Sequence, residues 1–244
     1  MRYTIAVSGG VVVVLMVLAL GMLGGSFESE LASQPLATPQ ALSTPTPSPT
    51  PEPPRIRAGV PFTAQAPLGQ WDDPVFQDGC EEASILMAWH WVQGTGIEHA
   101  AREIQALADF QREKYGEHRD RSAADTAQLM RDYFQYQNVT VQTNISIENI
   151  KATLRDGSVA VLPMNGQALG NPHFTPPGPE RHMLVVHGYD AETDEFITND
   201  PGTRHGKDYR YPADVFYSAI RDYPTGYHEP IESVEKVMLV VSSD

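Results

Sequence analysis

In the first part of residues 56–244, apolar and polar residues recur with the period of a helix. Apolar positions on one helix face predict a helix from Cys80 to about Gln93. The same period predicts helices over residues 99–114 and 122–135. In the last of these, Ser122 stands three residues before Asp125, an arrangement typical of a capped helix start. We therefore expect a helical first half.

Farther along the chain the pattern changes to short alternating or continuously apolar stretches, which are typical of strands. The predicted strands are residues 139–143, 158–164, 181–190, 195–200 and 236–242. One helix interrupts them over residues 146–157, with Ser146 as its N-cap and Gly157 as its stop. Another covers residues 212–223 and has Pro212 in its first turn. Helices followed by a mostly antiparallel sheet define an α+β fold.

The first 55 residues have a composition that does not suit a packed core. Ile5–Leu23 is uncharged and close to the ~20 residues that cross a bilayer. Residues 1–25 are therefore predicted to be a transmembrane anchor or, if they are cleaved, a signal sequence. Residues 26–55 are rich in Pro, Thr and Ser, which predicts an extended linker. Arg2 precedes the apolar run, which favours a location outside the cytoplasm for a single domain over residues 56–244.

The net charge argues against some classes of binding partner. The chain carries a formal net charge of −14 at pH 7 and has a pI of about 4.9. Binding of nucleic acid or of an anionic lipid surface needs a basic face, so we expect neither for the domain. Membrane contact is expected only through residues 1–25. The motif G-x-x-x-x-G-K-[ST] does not occur, so we expect no ATP-binding module, and we predict a monomer without a cofactor.

Cys80 is the only cysteine in the sequence, and it lies where a helix is predicted to begin. It cannot form a disulfide within the chain, so it is a small buried side chain, a link to another chain or a nucleophile. The preceding Gly79 allows a tight turn into the helix. Free N–H groups and the helix dipole at that end stabilise a thiolate and can receive an oxyanion. This setting favours a nucleophile whose pKa lies below its ordinary value.

A nucleophilic thiolate needs a base, and the base needs a partner that orients it. His182 and His187 lie on one predicted strand but face opposite sides of it, so only one of them can face Cys80. Asp200 ends the partner strand of a predicted hairpin, where it can accept the Nδ1 proton of His182. Joint metal binding by the two histidines would need a bulge in the strand, so we predict no metal site.

Four motifs of the chain, taken in order, resemble those of papain-like cysteine peptidases of the bacteriocin-processing (double-glycine leader) type. The likeness is greatest to their stand-alone, transporter-free relatives, the C39-like peptidases. These relatives show a Val-Pro-x-x-x-Gln strand, a Gly-Cys-Glu-x-x-Ser helix start, a His before an apolar run into Gly-Tyr-Asp, and Asn-Asp-Pro. The matching residues are Val60–Gln65, Gly79–Ser84, His182 with Gly188–Asp190, and Asn199–Pro201.

The resemblance implies a papain-like fold and a role for each matching residue. Cys80 corresponds to the nucleophile, His182 to the general base and acid, and Asp200 to the residue that orients the histidine. Gln65 corresponds to the side chain that donates to the oxyanion together with the backbone N–H of Cys80. The segment between Gln65 and Cys80 is longer than in papain-type enzymes, so one of two other glutamines is an alternative donor. These are Gln70 and Gln77.

The sequence leaves three functions open on this scaffold. The first is a cysteine peptidase that acts on peptides or proteins outside the cytoplasm. The second is an amidase or transpeptidase that uses the same acyl chemistry, and the third is an inactive binding module. The Gly- and Pro-rich segment from Asn165 to Glu180 precedes His182 and is predicted to form a loop that borders the cleft and helps to select the substrate.

Overall fold

The structure is a computed structural model that describes residues 55–243. Its helices are α1 (Pro74–Gln77), α2 (Cys80–Gln93), α3 (Ala100–Tyr115), α4 (Ala123–Tyr133), α5 (Ile147–Arg155), α6 (Gly166–Leu169) and α7 (Ala213–Ala219). Its strands are β1 (Arg55–Arg57), β2 (Val139–Thr143), β3 (Val159–Met164), β4 (His182–Asp190), β5 (Glu195–Asn199), β6 (Tyr209–Pro212) and β7 (Val237–Val241). The cluster of helices α1–α4 before β2, together with the antiparallel pairing of the strands, confirms the predicted α+β fold.

The helix starts follow the capping signals in the sequence. The Ser122 side chain accepts a hydrogen bond from the N–H of Asp125 at 3.2 Å, so it caps α4 as predicted. Ser146 caps α5, where it accepts from the N–H of Asn149 at 3.3 Å while the Asn149 side chain accepts from the Ser146 N–H at 2.8 Å. These local bonds satisfy N–H groups that a helix leaves free at its first turn.

The strands form one antiparallel sheet in the order β2-β7-β3-β4-β5-β6, and β1 adds to β4. Strand β4 is buried along its whole length, because strands pair with both of its edges and an apolar core covers each of its faces. The β4–β5 hairpin forms as predicted, with Asp190 opposite Glu195. Its register shifts between Val186 and Gly188, so His187 lies at a bulge.

Two apolar cores lie on opposite faces of the sheet. Met183 and Val185 of β4 pack into the core that also contains residues of α2, α3 and α4. Leu184 and Val186 pack into the other core, with residues of α5 and α7. The alternation of side chains along the strand therefore assigns the N-terminal helices to one face of the sheet and the later helices to the other.

Several elements differ from the sequence prediction. Strands β1 and β6 and the one-turn helices α1 and α6 were not predicted, and α6 lies inside the predicted loop 165–180. The motif Val60–Gln65 was predicted as a strand but lies outside the regular elements of the described chain. Helix α7 ends at Ala219 rather than near Tyr223, because Ile220 forms an isolated antiparallel bridge with Met164.

The predicted anchor, residues 1–25, and most of the predicted linker lie outside the described residues. Arg55, the last residue of the predicted linker, already belongs to β1, where it pairs with Asp190 and donates from Nε to its carboxylate at 3.0 Å. Within residues 55–243, the helices are too short or too polar to span a membrane.

Candidate active site

The N-terminus of α2 carries Cys80, and packing explains the glycine before it. Gly79 has φ −92° and ψ 24°, a conformation open to other residues, so the turn into the helix does not by itself require glycine. A side chain there would instead collide with α1, because a Cβ on Gly79 would lie 2.7 Å from the carbonyl oxygen of Val75. The close approach of α1 to α2 thus fixes the position of the first residue of the helix.

The thiol of Cys80 is buried and donates a hydrogen bond to a neighbouring carboxylate. Its Sγ lies 3.1 Å from Oε2 of Glu81. Burial, followed by the negative charge of Glu81, raises the pKa of Cys80 well above its ordinary value. The predicted depression of the thiol pKa is therefore wrong for the free protein, because burial and the adjacent carboxylate both disfavour the thiolate.

His182 and Asp200 form the expected pair, but through the other ring nitrogen. Nε2 of His182 lies 2.8 Å from Oδ1 of Asp200, and both side chains are buried. The prediction that Asp200 accepts the Nδ1 proton is therefore wrong. Nδ1 is consequently the nitrogen left for a proton exchange with another group.

Asp200 is held by donors that the sequence analysis missed. Its Oδ2 accepts from the hydroxyl of Tyr211 at 2.6 Å and from the amide of Asn171 at 3.4 Å, while Oδ1 also accepts from the Gly202 N–H at 2.9 Å. Burial opposes ionisation of Asp200, but the charge and hydrogen bond of His182 and the other donors bring its pKa below the ordinary value.

The imidazole of His182 is enclosed by small and aromatic neighbours. The Phe174 ring stands edge-on to it, with centroids 5.3 Å apart and an interplanar angle of 77°. A Cβ at Gly202 would lie 2.8 Å from Cε1 of His182 and 2.8 Å from Cε1 of Phe174. Glycine is therefore the residue that fits beside the ring.

His187 occupies a different environment from His182. Its Nδ1 contacts the carbonyl oxygen of Ala58 at 2.9 Å, and its Nε2 lies 3.4 Å from Oδ1 of Asp208. Burial lowers its pKa. These contacts tie β4 to the segment after β1, away from Cys80.

A cleft of about 740 Å³ brings together the residues that the resemblance pointed to. Cys80, His182 and Gln65 all line it, and Asp200 lies behind His182. The segment predicted to border the cleft contributes lining residues, which are Phe174, Thr175, Gly178, Pro179 and Glu180. Two neighbouring loops add the acidic side chains Asp78 and Asp120.

The glutamines compared as oxyanion donors differ in position. The Gln65 amide donates to the carbonyl oxygens of Phe76 at 3.0 Å and Gln77 at 2.7 Å, and its buried Oε1 lacks a hydrogen-bond partner among the described residues. Gln77 is exposed and lines the cleft. Gln70 instead accepts from the Leu68 N–H at 2.8 Å in an exposed turn.

Metal ligands are not grouped in the described part of the chain. Over residues 55–243 there is no cluster of three or more His, Cys, Asp or Glu side chains that could hold an ion. His182 uses its Nε2 on Asp200, and His187 contacts Ala58 and Asp208.

The site residues that were not predicted from the sequence have only weak signals in the residues around them. Asn171 lies in the segment already predicted to border the cleft, but an Asn-Pro step in a loop is ordinary. Tyr211 lies on β6, which was not predicted, and it reaches Asp200 only because β6 pairs with β5. Glu81 was part of the quoted Gly-Cys-Glu motif, yet a charged residue in the first turn of a helix is normally solvent-exposed.

A cysteine at a helix start and a histidine–aspartate pair on a sheet, facing one cleft of an α+β fold, define the class of papain-like cysteine peptidases. The model of the Peptidase_C39 like family matches residues 58–226 of the chain. The chain belongs to this family and is a cysteine peptidase.

A solved structure shares this fold. A protein from Bacillus anthracis described as a C39-like peptidase matches with a TM-score of 0.50 and 20% identity, covering 78% of this chain and 99% of its own. Xylellain, a cysteine protease from Xylella fastidiosa, matches with a TM-score of 0.40 and 16% identity over 80% of this chain and 90% of its own. None of the curated proteins compared with the chain matches it.

Proposed function

We propose that the chain hydrolyses peptide bonds outside the cytoplasm through a Cys80–His182–Asp200 triad. The observation that carries the proposal is that the only thiol of the chain and the buried His182–Asp200 pair line or support one cleft. The family supplies the reaction class, and the geometry supports the role proposed for each residue. A binding module without chemistry is not favoured, because the residues proposed as nucleophile, base and orienting residue meet at one cleft.

The proposed reaction is acyl transfer in two steps. As Sγ of Cys80 attacks the carbonyl carbon of the scissile bond, the thiol proton moves to Nδ1 of His182. The imidazolium is stabilised by Asp200 through Nε2, and it then gives its proton to the leaving amine. In the second step His182 takes a proton from water, which attacks the thioester and restores the free thiol.

The oxyanion needs donors at the start of α2. The N–H of Cys80 lies in the first turn, where N–H groups have no acceptor within the helix. Gln65 is the proposed second donor, and to serve it must redirect one amide hydrogen from a carbonyl of Phe76 or Gln77. We expect Gln65→Ala to lower kcat about 10²-fold and Gln77→Ala to lower it less, as measured by steady-state kinetics.

The nucleophile is tested by Cys80→Ser in the full-length chain. We expect the variant to lose hydrolysis of a peptide library while its melting temperature stays close to that of the native chain, since the change is nearly isosteric. Persistent hydrolysis by a folded variant would exclude the cysteine mechanism. Mass spectrometry of the products, with and without an added amine, separates hydrolysis, which yields a free carboxylate, from transpeptidation, which would yield an amine adduct. An amidase would also yield a carboxylate, but from an amide that is not a peptide bond.

The location is proposed from the sequence of residues 1–55. We expect the full-length chain to fractionate with membranes, or to be secreted if the first segment is cleaved. A chain that begins at Arg55 retains β1 and should be soluble, folded and monomeric by size-exclusion chromatography. Aggregation of that shorter chain would show that earlier residues contribute to the fold.

A further inference from the structure

A buried carboxylate contacts the reacting sulfur, and the proposed mechanism does not use it. Glu81 stands beside Cys80 in the first turn of α2 and is 1% exposed. Its Oε2 accepts the thiol hydrogen at 3.1 Å. Its Oε1 accepts from the Tyr223 hydroxyl at 2.7 Å and from the Arg121 N–H at 3.1 Å. The side chain is thus turned into the protein and held in a defined orientation.

The charge of Glu81 is not balanced by a cation. The Arg121 guanidinium donates to Gln111 and stacks 4.2 Å from the centroid of the Tyr115 ring, so only the backbone of Arg121 reaches Glu81. The ion pairs found among residues 55–243 do not include Glu81. Hydrogen bonds alone hold this carboxylate, and the thiol supplies one of them.

Glu82 is a natural comparison, because it is also fully buried on the same helix but does not contact the sulfur. Its Oε1 accepts from the Gln111 amide, and its Oε2 has no hydrogen-bond partner in the part of the chain that the structure describes. Burial, with the charge of Glu81, raises the pKa of Glu82 to about 8. Three donors reach the Glu81 carboxylate and one reaches Glu82, so hydrogen bonding favours the negative charge on Glu81.

We propose that Glu81 holds Cys80 as a protonated thiol in the free enzyme, so that the thiolate forms only as His182 takes the proton during attack on a bound substrate. The inference rests on the proposed role of Cys80 as the nucleophile. In the resting state the hydrogen stays on Sγ and points at Oε2 of Glu81. During attack it moves to Nδ1 of His182, the S–H electron pair forms the bond from sulfur to the carbonyl carbon, and Glu81 keeps its charge throughout.

The consequence is a latent nucleophile. Oxidants, disulfides and alkylating reagents react with thiolates far faster than with thiols. A lone cysteine that opens onto a solvent cleft is protected from these reactions as long as it stays protonated. The carboxylate thus favours selectivity for substrate over adventitious reagents, at some cost in intrinsic reactivity.

The test is the pH dependence of iodoacetamide alkylation at Cys80, the only thiol of the full-length chain. The ionisable groups that face this thiol are Glu81 and Glu82 on α2, Asp120 from the α3–α4 connection, His182 on β4 and Tyr223 after α7. Alkylation reports the thiol whether or not the chain cleaves peptides. Failure of the Cys80→Ser test would overturn the proposed function, while this titration would still decide the role of Glu81.

We expect Glu81→Gln to lower the midpoint of alkylation by about one pH unit, which makes alkylation at pH 7 about tenfold faster. The amide can still accept from Tyr223 and Arg121, and its NH₂ can donate to the thiolate. Glu82→Gln is the matched control, and we expect it to shift the midpoint by less than about a third as much. An unchanged midpoint in Glu81→Gln, or equal shifts in both variants, would overturn the proposal.

A measurement on the native chain guards against a variant that does not fold. Thiolate absorbance near 240 nm, corrected with Cys80→Ser, should rise only above pH ~8.5, the ordinary range of a free cysteine. A thiolate already present at pH 6 in the native chain would refute the proposal.

Discussion

Two buried carboxylates flank the proposed catalytic pair, and they have opposite effects. Asp200 contacts the base His182, and the charge and hydrogen bonds around it bring its pKa below the ordinary value despite burial. Glu81 contacts the nucleophile Cys80, and burial raises its pKa although it also accepts three hydrogen bonds. Burial and the number of donors are similar, so neither explains the difference.

The charge of the partner explains it. An imidazole gains positive charge when it takes a proton, so the Asp200 carboxylate favours the ionised base. A thiol gains negative charge when it loses one, so the Glu81 carboxylate disfavours the ionised nucleophile. Similar carboxyl groups thus lie beside a side chain that becomes positive and beside one that becomes negative in the proposed reaction.

The largest expected effect comes from removing the base. We expect His182→Ala to lower kcat/KM about 10³-fold, because both proton transfers of the proposed reaction pass through this ring. His187→Ala removes the other histidine of β4 and should lower stability with little change in kcat. Steady-state kinetics and thermal unfolding of both variants make the comparison, and a reversed pattern would show that His187 is the base.

A smaller change displaces the base without removing it. Gly202→Ala places a Cβ 2.8 Å from Cε1 of His182, so the ring must move. We expect kcat/KM to fall about 10²-fold, the scale associated with a misplacement of about 1 Å. Gly59→Ala is the control, because its Cβ would meet nothing within 4 Å. Similar losses in both variants would indicate a general effect of alanine rather than a clash at the site.

Removal of one hydroxyl group weakens the hydrogen bonding that holds Asp200. Tyr211→Phe removes a 2.6 Å hydrogen bond to Oδ2 of Asp200, and bonds to charged groups contribute about 1.5–3 kcal/mol. We expect a loss of stability of that size at pH 7, a higher pKa of Asp200 and less than a tenfold loss of kcat/KM. The stability gained from the lowered Asp200 pKa is present above the unfolded pKa and is lost as the pH falls, so the difference between variant and native should narrow in acid.

Tyr209→Phe is the control for that measurement. The Tyr209 ring packs beside that of Tyr211, with centroids 4.7 Å apart. The hydroxyl hydrogen bond to Asp200, however, comes from Tyr211. Chemical denaturation at pH 7 and at pH ~3, below the ordinary Asp pKa of about 3.9, compares the two variants. Equal destabilisation by both would assign the effect to ring packing.

The smallest effect concerns the carboxyl groups behind the nucleophile. The folded-state pKa of Glu82 is raised to about 8, so its proton stabilises the fold at low pH and this stability is lost as the pH rises toward and through 8. Glu82→Gln cannot ionise. We expect its Tm relative to the native chain to rise by about 3 °C between pH 5 and pH 9, which corresponds to about 1 kcal/mol. A difference in Tm that does not change with pH would contradict a protonated Glu82.

Patterns among residues close together in the sequence determined the main helices of this protein. The period of apolar residues and the caps at Ser122 and Ser146 predicted the main helices, since capping bonds and helix faces depend on residues only a few positions apart. The same reasoning placed Cys80 at the start of α2 and Asp200 at the end of the β4–β5 hairpin. It failed at Ile220, where a bridge to Met164 replaces a further turn of α7.

The tertiary structure decided which atoms meet. Tyr211, Asn171 and Asp200 are distant in sequence, and only the pairing of β5 with β6 and the path of the loop before β4 bring them together. The rotamer of His182 determines which ring nitrogen contacts Asp200. The rotamer of Glu81 directs its carboxylate inward toward Cys80. Packing against distant elements fixes these rotamers, because the neighbours of a buried side chain are not specified by the local sequence.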